Sequence, residues 1–261
     1  MASRYITTPG GTDLTAAVGG TINDGDSVFI NTGNDVLTTN LNHAAKTFPR
    51  FAVVGEFEGS VGDAGTYLEA QITLLDLSCA ARALYVKGGS GTGIIAKSIL
   101  APTRSDCAIV FGAGTFTEIV MHGGNLIAND TADVNLLRQT GGSSLLRAGA
   151  ANIPTIELLG GSCRCDRDFD TADVRGGIFS VTITTVTPTL VEVASGATLD
   201  YRGGDIATLT SFGGADCDLT KLTKPITIAL VNNHANSKLR AGPGMVTVTA
   251  YTYDDGPRFP L

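Results

Sequence analysis

Along most of the chain, apolar and polar residues alternate in short runs, and the runs break at glycine. "VTITTVTPTLVEV" (181–193) and "FPRFAVVGEF" (48–57) are dense in β-branched and aromatic side chains, which fit a pleated surface better than a helix. "NDGDS" (23–27) is a turn signal followed by the short strand "VFI". "MVTVTAYTY" (245–253) alternates so as to give one apolar face and one threonine-tyrosine face. Helical spacing is scarce: "TYLEAQITLLDLS" (66–78) is the best candidate helix, and "LLRAGAANI" (145–153) is the next.

The glycines carry a second pattern. Gly-Gly recurs with its second member at 89, 124, 142, 161, 177 and 214, in steps of 35, 18, 19, 16 and 37. Two steps are double the others, and Ser195-Gly196 falls where the last long step should be divided, so the period is about eighteen residues. Around each pair a short apolar run enters a glycine corner and an alternating stretch leaves it, as in "EIVMHGGNL" (118–126) and "LTSFGGADCDL" (209–219). A unit this short cannot bury its own apolar face, but stacked units share a continuous core. Corners need positive φ or close backbone approach, both available to glycine. The pattern predicts an all-β chain: a parallel β-helix, or β-solenoid, with coils of about eighteen residues. Residues 61–224 form its body, 1–60 an N-terminal cap or attachment segment, and 225–261 a C-terminal β-strand segment. Gly203-Gly204 is out of phase and belongs to a different corner of its coil.

Composition narrows the function. Glycine is 33 of 261 residues, Trp is absent and charged residues make up 16%. A formal charge of −7 with scattered Lys and Arg argues against a nucleic-acid partner. The longest uncharged apolar stretch, 178–191, is too short to span a bilayer, and "MASRYITTPGG" is no export signal, which together indicate a soluble chain made in a reducing cytosol. Cys79, Cys107, Cys163, Cys165 and Cys217 are odd in number and lack CxxC spacing, so they read as small buried hydrophobes.

Chemistry is sparse. "GTGIIAKS" (91–98) differs from the phosphate-binding pattern by Ala96 in place of glycine, whose Cβ obstructs the curl of N–H groups round a phosphate. Asp166, Asp168 and Asp170 share one strand face, as do Asp216 and Asp218, a pattern compatible with paired-carboxylate chemistry on glycans. With Arg164 and Arg167 alongside, the first set reads better as a neutralised, solvated face. The "NDGDS" turn and these Asp groups are also the candidates for calcium. His43, His122 and His234 have no metal-ligand spacing, and His122 reads as a hydrogen-bonded turn residue. No catalytic, cofactor-binding or metal residue is assigned, and no cofactor is expected.

A Gly- and Thr-rich acidic chain of irregular β-coils, with a "DGDSVFI" entry and a β-rich polar C-terminus, resembles virion structural proteins of tailed bacteriophages. Within that group it looks like the β-helical head decoration (cement) proteins and the shorter tail-spike or fibre modules. The resemblance implies a non-enzymatic homotrimer on the capsid surface of a virion assembled in host cytoplasm. Its partner would be the major capsid protein, held through residues 1–60 or the C-terminal strands, with no nucleic acid and no membrane. The alternative it implies is a tail-spike or fibre adhesin that binds or degrades host surface polysaccharide.

Overall fold

The computed structural model describes residues 2–6, 11–89 and 93–254. The chain is nearly all β, with parallel strands stacked as a β-solenoid, as the glycine period predicts. It divides into two compact units, 1–145 and 146–261.

In the first unit one parallel ladder runs through Ser3–Tyr5, Ser27–Ile30, Asn42–Val54, Leu68–Ser78, Ile94–Leu100 and Gly114–Met121. A second, of shorter strands, runs through Val36–Leu37, Ser60–Val61, Ala83–Gly88, Ala108–Phe111 and Asn125–Ala128. The register steps from Ser3 to Ser27, Val28 to Phe51 and Ile72 to Ile95, so these coils take 23 or 24 residues. The step falls to 21 between Ile94 and Thr115, and to 18 between Gly114 and Ala132 and between Ile119 and Leu137. That is why no glycine phase is visible before residue 88.

The second unit repeats the plan with two strands per coil. Ile153–Leu158, Phe169–Val174, Leu190–Val193, Ile206–Ser211, Ile226–His234 and Val246–Asp254 form one ladder. Ser162–Cys165, Ile178–Val181, Thr198–Tyr201, Asp216–Leu219 and Lys238–Ala241 form the other. Steps of 16, 19, 18, 22 and 20 separate Ile153, Phe169 and the paired residues that follow. Parallel pairing crosses both positions 60 and 224 without interruption.

The core is made of files of in-register side chains. Ile156, Ala172, Val191, Leu209 and Val231 stack in one file, and Cys163, Phe179, Leu199 and Cys217 in another, all buried. Full burial of one Val, Leu, Ile or Phe stabilises by about 1.5–3 kcal/mol, so a file of four or five holds its coils firmly together. The corners between the two ladders are the phased glycines. Gly124, Gly142, Gly161, Gly177, Gly196 and Gly214 all have φ between 73° and 85°, the left-handed region in which a Cβ is penalised. Gly89 lacks positive φ and is there for closeness instead: a Cβ on it would lie 2.3 Å from the Ala44 carbonyl oxygen. Gly203 serves yet another purpose: a Cβ on it would lie 2.3 Å from the buried Tyr201 side chain, whose hydroxyl donates to the Gly204 carbonyl at 3.0 Å.

Two local expectations are corrected. Residues 66–78 hold the strand Leu68–Ser78, not a helix. Leu68, Ile72 and Leu75 are buried with helix-like spacing because the inward parity of the strand slips between Ile72 and Leu75, and strands pair on both its sides. Residues 145–153 are likewise the end of one strand, a turn and the start of another. The one helix among the described residues is Leu14–Ala17, which the pattern missed because it is a single turn; Asp13 caps it by accepting from the N–H groups of Thr15 and Ala16.

Candidate functional site

Each sequence-level candidate can be located. In "GTGIIAKS", Gly91 and Thr92 lie outside the described residues; Ile94–Leu100 is a core strand rather than a helix start, and Lys97 pairs with Glu118 at 3.0 Å. A strand presents no cluster of N–H groups to a phosphate. At "NDGDS", Asp24 accepts from the Thr47 N–H at 2.7 Å. Asp26 accepts from the N–H groups of Ala2 and Asn23 and from Arg4 Nε. The Asn23 N–H is the largest of the influences that hold the Asp26 carboxyl down at about 2. Its acceptors face donors, so the carboxylate locks the turn and has no free geometry for calcium. No group of three or more His, Cys, Asp or Glu among the described residues is placed to hold a metal.

The aspartate sets are neutralised in part, and not as the sequence suggests. Asp166 takes both arms of Arg164, at 2.9 Å each, and the Thr182 hydroxyl, while Asp168 and Asp170 are exposed. Arg167 is fully buried, the largest such side chain in the described chain, and its Nε donates to the Arg147 carbonyl at 2.6 Å. Asp216 and Asp218 face Arg240, at 2.8 and 3.7 Å, and Asp200 faces Lys221 at 2.6 Å. The Thr220 hydroxyl, more than any charge, lowers the Asp218 carboxyl from its ordinary range. A general acid needs a raised pKa, and the Asp218 carboxyl is shifted the other way.

The histidines stay apart. His43 is buried edge-on to Phe48 at 5.4 Å, and burial lowers its pKa, favouring the neutral ring. His122 Nδ1 meets the Thr140 hydroxyl of the next coil at 2.8 Å, beside the glycine corner. All five cysteines are free and buried, and burial pushes the thiols of Cys107, Cys165 and Cys217 up to about 12. Thiolates are the reactive form. We therefore expect no cysteine of the native protein to react with a thiol reagent at pH 8, and all five to react in denaturant; rapid native labelling would contradict this burial.

What the sequence did not point to is a shallow groove of about 360 Å³ on the second unit, lined by Glu192, Thr210, Phe212, Asn232, Asn233, His234 and Thr252. Strand register assembles it. Glu192, Thr210, Asn232 and Thr252 occupy one outward file on four successive coils, each about 4.8 Å from the next. That file begins with Glu157 and Asp173, and Arg175 binds Asp173 at 2.7 Å. Within the groove Asn232 donates to the Thr210 hydroxyl at 3.3 Å and accepts from Thr252. Phe212, 39% exposed, stacks on His234 with ring centroids 4.8 Å apart and 15° between planes. Its only sequence signal was position: Phe212 directly precedes the glycine corner, as His122, Thr140, Leu159 and Arg175 do on other coils. A larger groove, about 380 Å³ beside Thr187–Thr189, Asp205 and Ile206, offers less chemistry, since Asp205 accepts the Thr227 N–H at 2.7 Å.

No helix among the described residues is long and apolar enough to cross a membrane. No family model, no curated protein and no solved structure matches the chain.

Proposed function

We propose that the protein is a non-enzymatic structural component of a tailed-bacteriophage virion, a homotrimer that decorates the capsid by binding the lattice of the major capsid protein. The observation that carries this reading is the treatment of charge on the outer faces. Arg164–Asp166, Arg175–Asp173, Lys97–Glu118 and Arg240–Asp216 are paired within or between neighbouring coils. Such a surface is suited to lying against another protein rather than to turning over a substrate. A decoration protein binds in many copies, so weak individual contacts suffice through avidity. Attachment through residues 1–60 fits the longer coils of that end, which add side chains to each turn. Purified protein added to particles stripped of it is expected to rebind in saturable fashion and raise their resistance to heat; absence of binding would sink the proposal.

A second reading, a tail-spike or fibre adhesin for polysaccharide, is favoured by the Phe212–His234 groove. An aromatic platform beside carboxylate, amide and hydroxyl groups is the usual furniture of a sugar site. In that case Phe212→Ala and Glu192→Gln abolish glycan binding, while Asp166→Ala and Asp218→Ala, at carboxyls already engaged, leave it intact. Glycan-array binding of the wild type decides whether this reading stands at all.

A further inference from the structure

Among the described residues, nothing covers the core at the last coil of the second unit. Val246, Val248, Tyr251 and Tyr253 are in register with Ile226, Ile228, Val231 and Asn233. In the coil beneath, Ile226, Ile228 and Val231 are at most 3% exposed; on the last strand, Val248 is 37%, Tyr251 52% and Tyr253 55% exposed. The expected threonine-tyrosine face is therefore not what forms. Inward parity slips between Val248 and Tyr251, as it does between Ile228 and Val231, so the valines and tyrosines together continue the core. The first coil of the N-terminal unit, in contrast, is backed by its helix, with Leu14, Val18 and Ile22 buried.

Among the described residues, the strand Val246–Asp254 is hydrogen-bonded to Ile226–His234, and its other edge runs along the open rim. From Val246 to Tyr253 it has no charge, proline or glycine, the devices by which exposed edges avoid pairing. The segment 255–261 includes Pro257 and Pro260, which have no N–H to give to a ladder.

We propose that this rim is covered by the same rim of a second copy, the two Val246–Asp254 strands pairing antiparallel about a two-fold axis. The parity slip makes the strand self-complementary. With the axis between Thr249 and Ala250, Val246 faces Tyr253 of the second copy and Val248 faces Tyr251, all inward, while Thr247 faces Thr252, both outward. Aromatic with β-branched and threonine with threonine are favourable cross-strand pairs, and any register shifted by one residue sets inward against outward positions. A two-fold contact closes on itself and leaves neither Val246–Asp254 edge open. The inference does not rest on the phage reading; joined to the homotrimer proposed above, it pairs two trimers into six chains.

The test is the mass of the full chain in solution by light scattering at about 50 µM chain. The expected mass is an even multiple of the single chain, halved by Val248→Lys or by Tyr251→Glu alone, and restored when those two variant chains are mixed. Both positions are exposed, so the fold should survive, which circular dichroism checks. Co-expressed Thr247→Cys and Thr252→Cys chains should cross-link under mild oxidation, whereas either variant alone should not. A single-chain mass for the full protein overturns the proposal; so does a dimer formed only on truncation after Asp254, which would show that 255–261 cover the rim. Cross-linking of the Thr247→Cys variant with itself overturns the register.

Discussion

Gly177→Ala should lower the thermal midpoint by about 10 °C, and Gly196→Ala by only about 3 °C, at roughly 2–4 °C per kcal/mol for a chain of this size. Both glycines sit at the same corner of successive coils with φ of 77° and 78°, so both substitutions incur the left-handed penalty of about 1–2 kcal/mol. They differ in what stands below. A Cβ on Gly177 would lie 2.1 Å from the Gly161 carbonyl oxygen and 2.9 Å from its nitrogen, whereas one on Gly196 meets nothing within 4 Å. Backbone cannot rotate aside as a side chain does, so Gly177→Ala must pry two coils apart and strain the Ile178–Gly161 hydrogen bond of 3.0 Å. Gly142, whose Cβ would lie 2.4 Å from the Gly124 carbonyl oxygen, should behave like Gly177. Calorimetric melts of the three variants check the ranking. Equal shifts at 177 and 196 would mean that the corner conformation, and not the close stacking of coils, is what demands glycine.

Arg167→Ala should destabilise by about 3–5 kcal/mol in urea titrations, the range for emptying a large buried site. The side chain is wholly enclosed and its Nε donates to the Arg147 carbonyl, so its removal leaves a void and breaks that tie to the preceding coil. Arg167→Lys should recover little, because the ammonium lacks the planar fork that donates in several directions at once. Asp168→Ala and Asp170→Ala, at exposed positions just after it in the chain, should stay within about 0.5 kcal/mol. A mild Arg167→Ala would place the guanidinium in solvent, where the charge pattern "CDRDFD" by itself put it.

Much of the architecture was legible because its signal is local. Positive φ is a property of single residues, so a corner that needs it writes glycine into the sequence, and six corners in phase disclose the coil length and hence the parallel stacking. The longer N-terminal coils were not legible, since their steps of 23 and 24 residues are carried by hydrogen-bond register without matching Gly-Gly phase. Parity was the other blind spot. A slip within Leu68–Ser78 imitates helical spacing, and one within Val246–Asp254 moves the tyrosines into the core file.

From its amino acids alone, then, the chain determined that it is β, that its turns repeat and where its corners fall, because each follows from what one residue or its near neighbours permit. Only the stacked coils decided that Arg167 points inward while Arg164 points out, that Glu192, Phe212 and His234 share a groove, and that the valines and tyrosines of the last strand continue the core files. Those outcomes depend on contacts between residues some twenty positions apart, where register and burial, rather than local preference, set the energy.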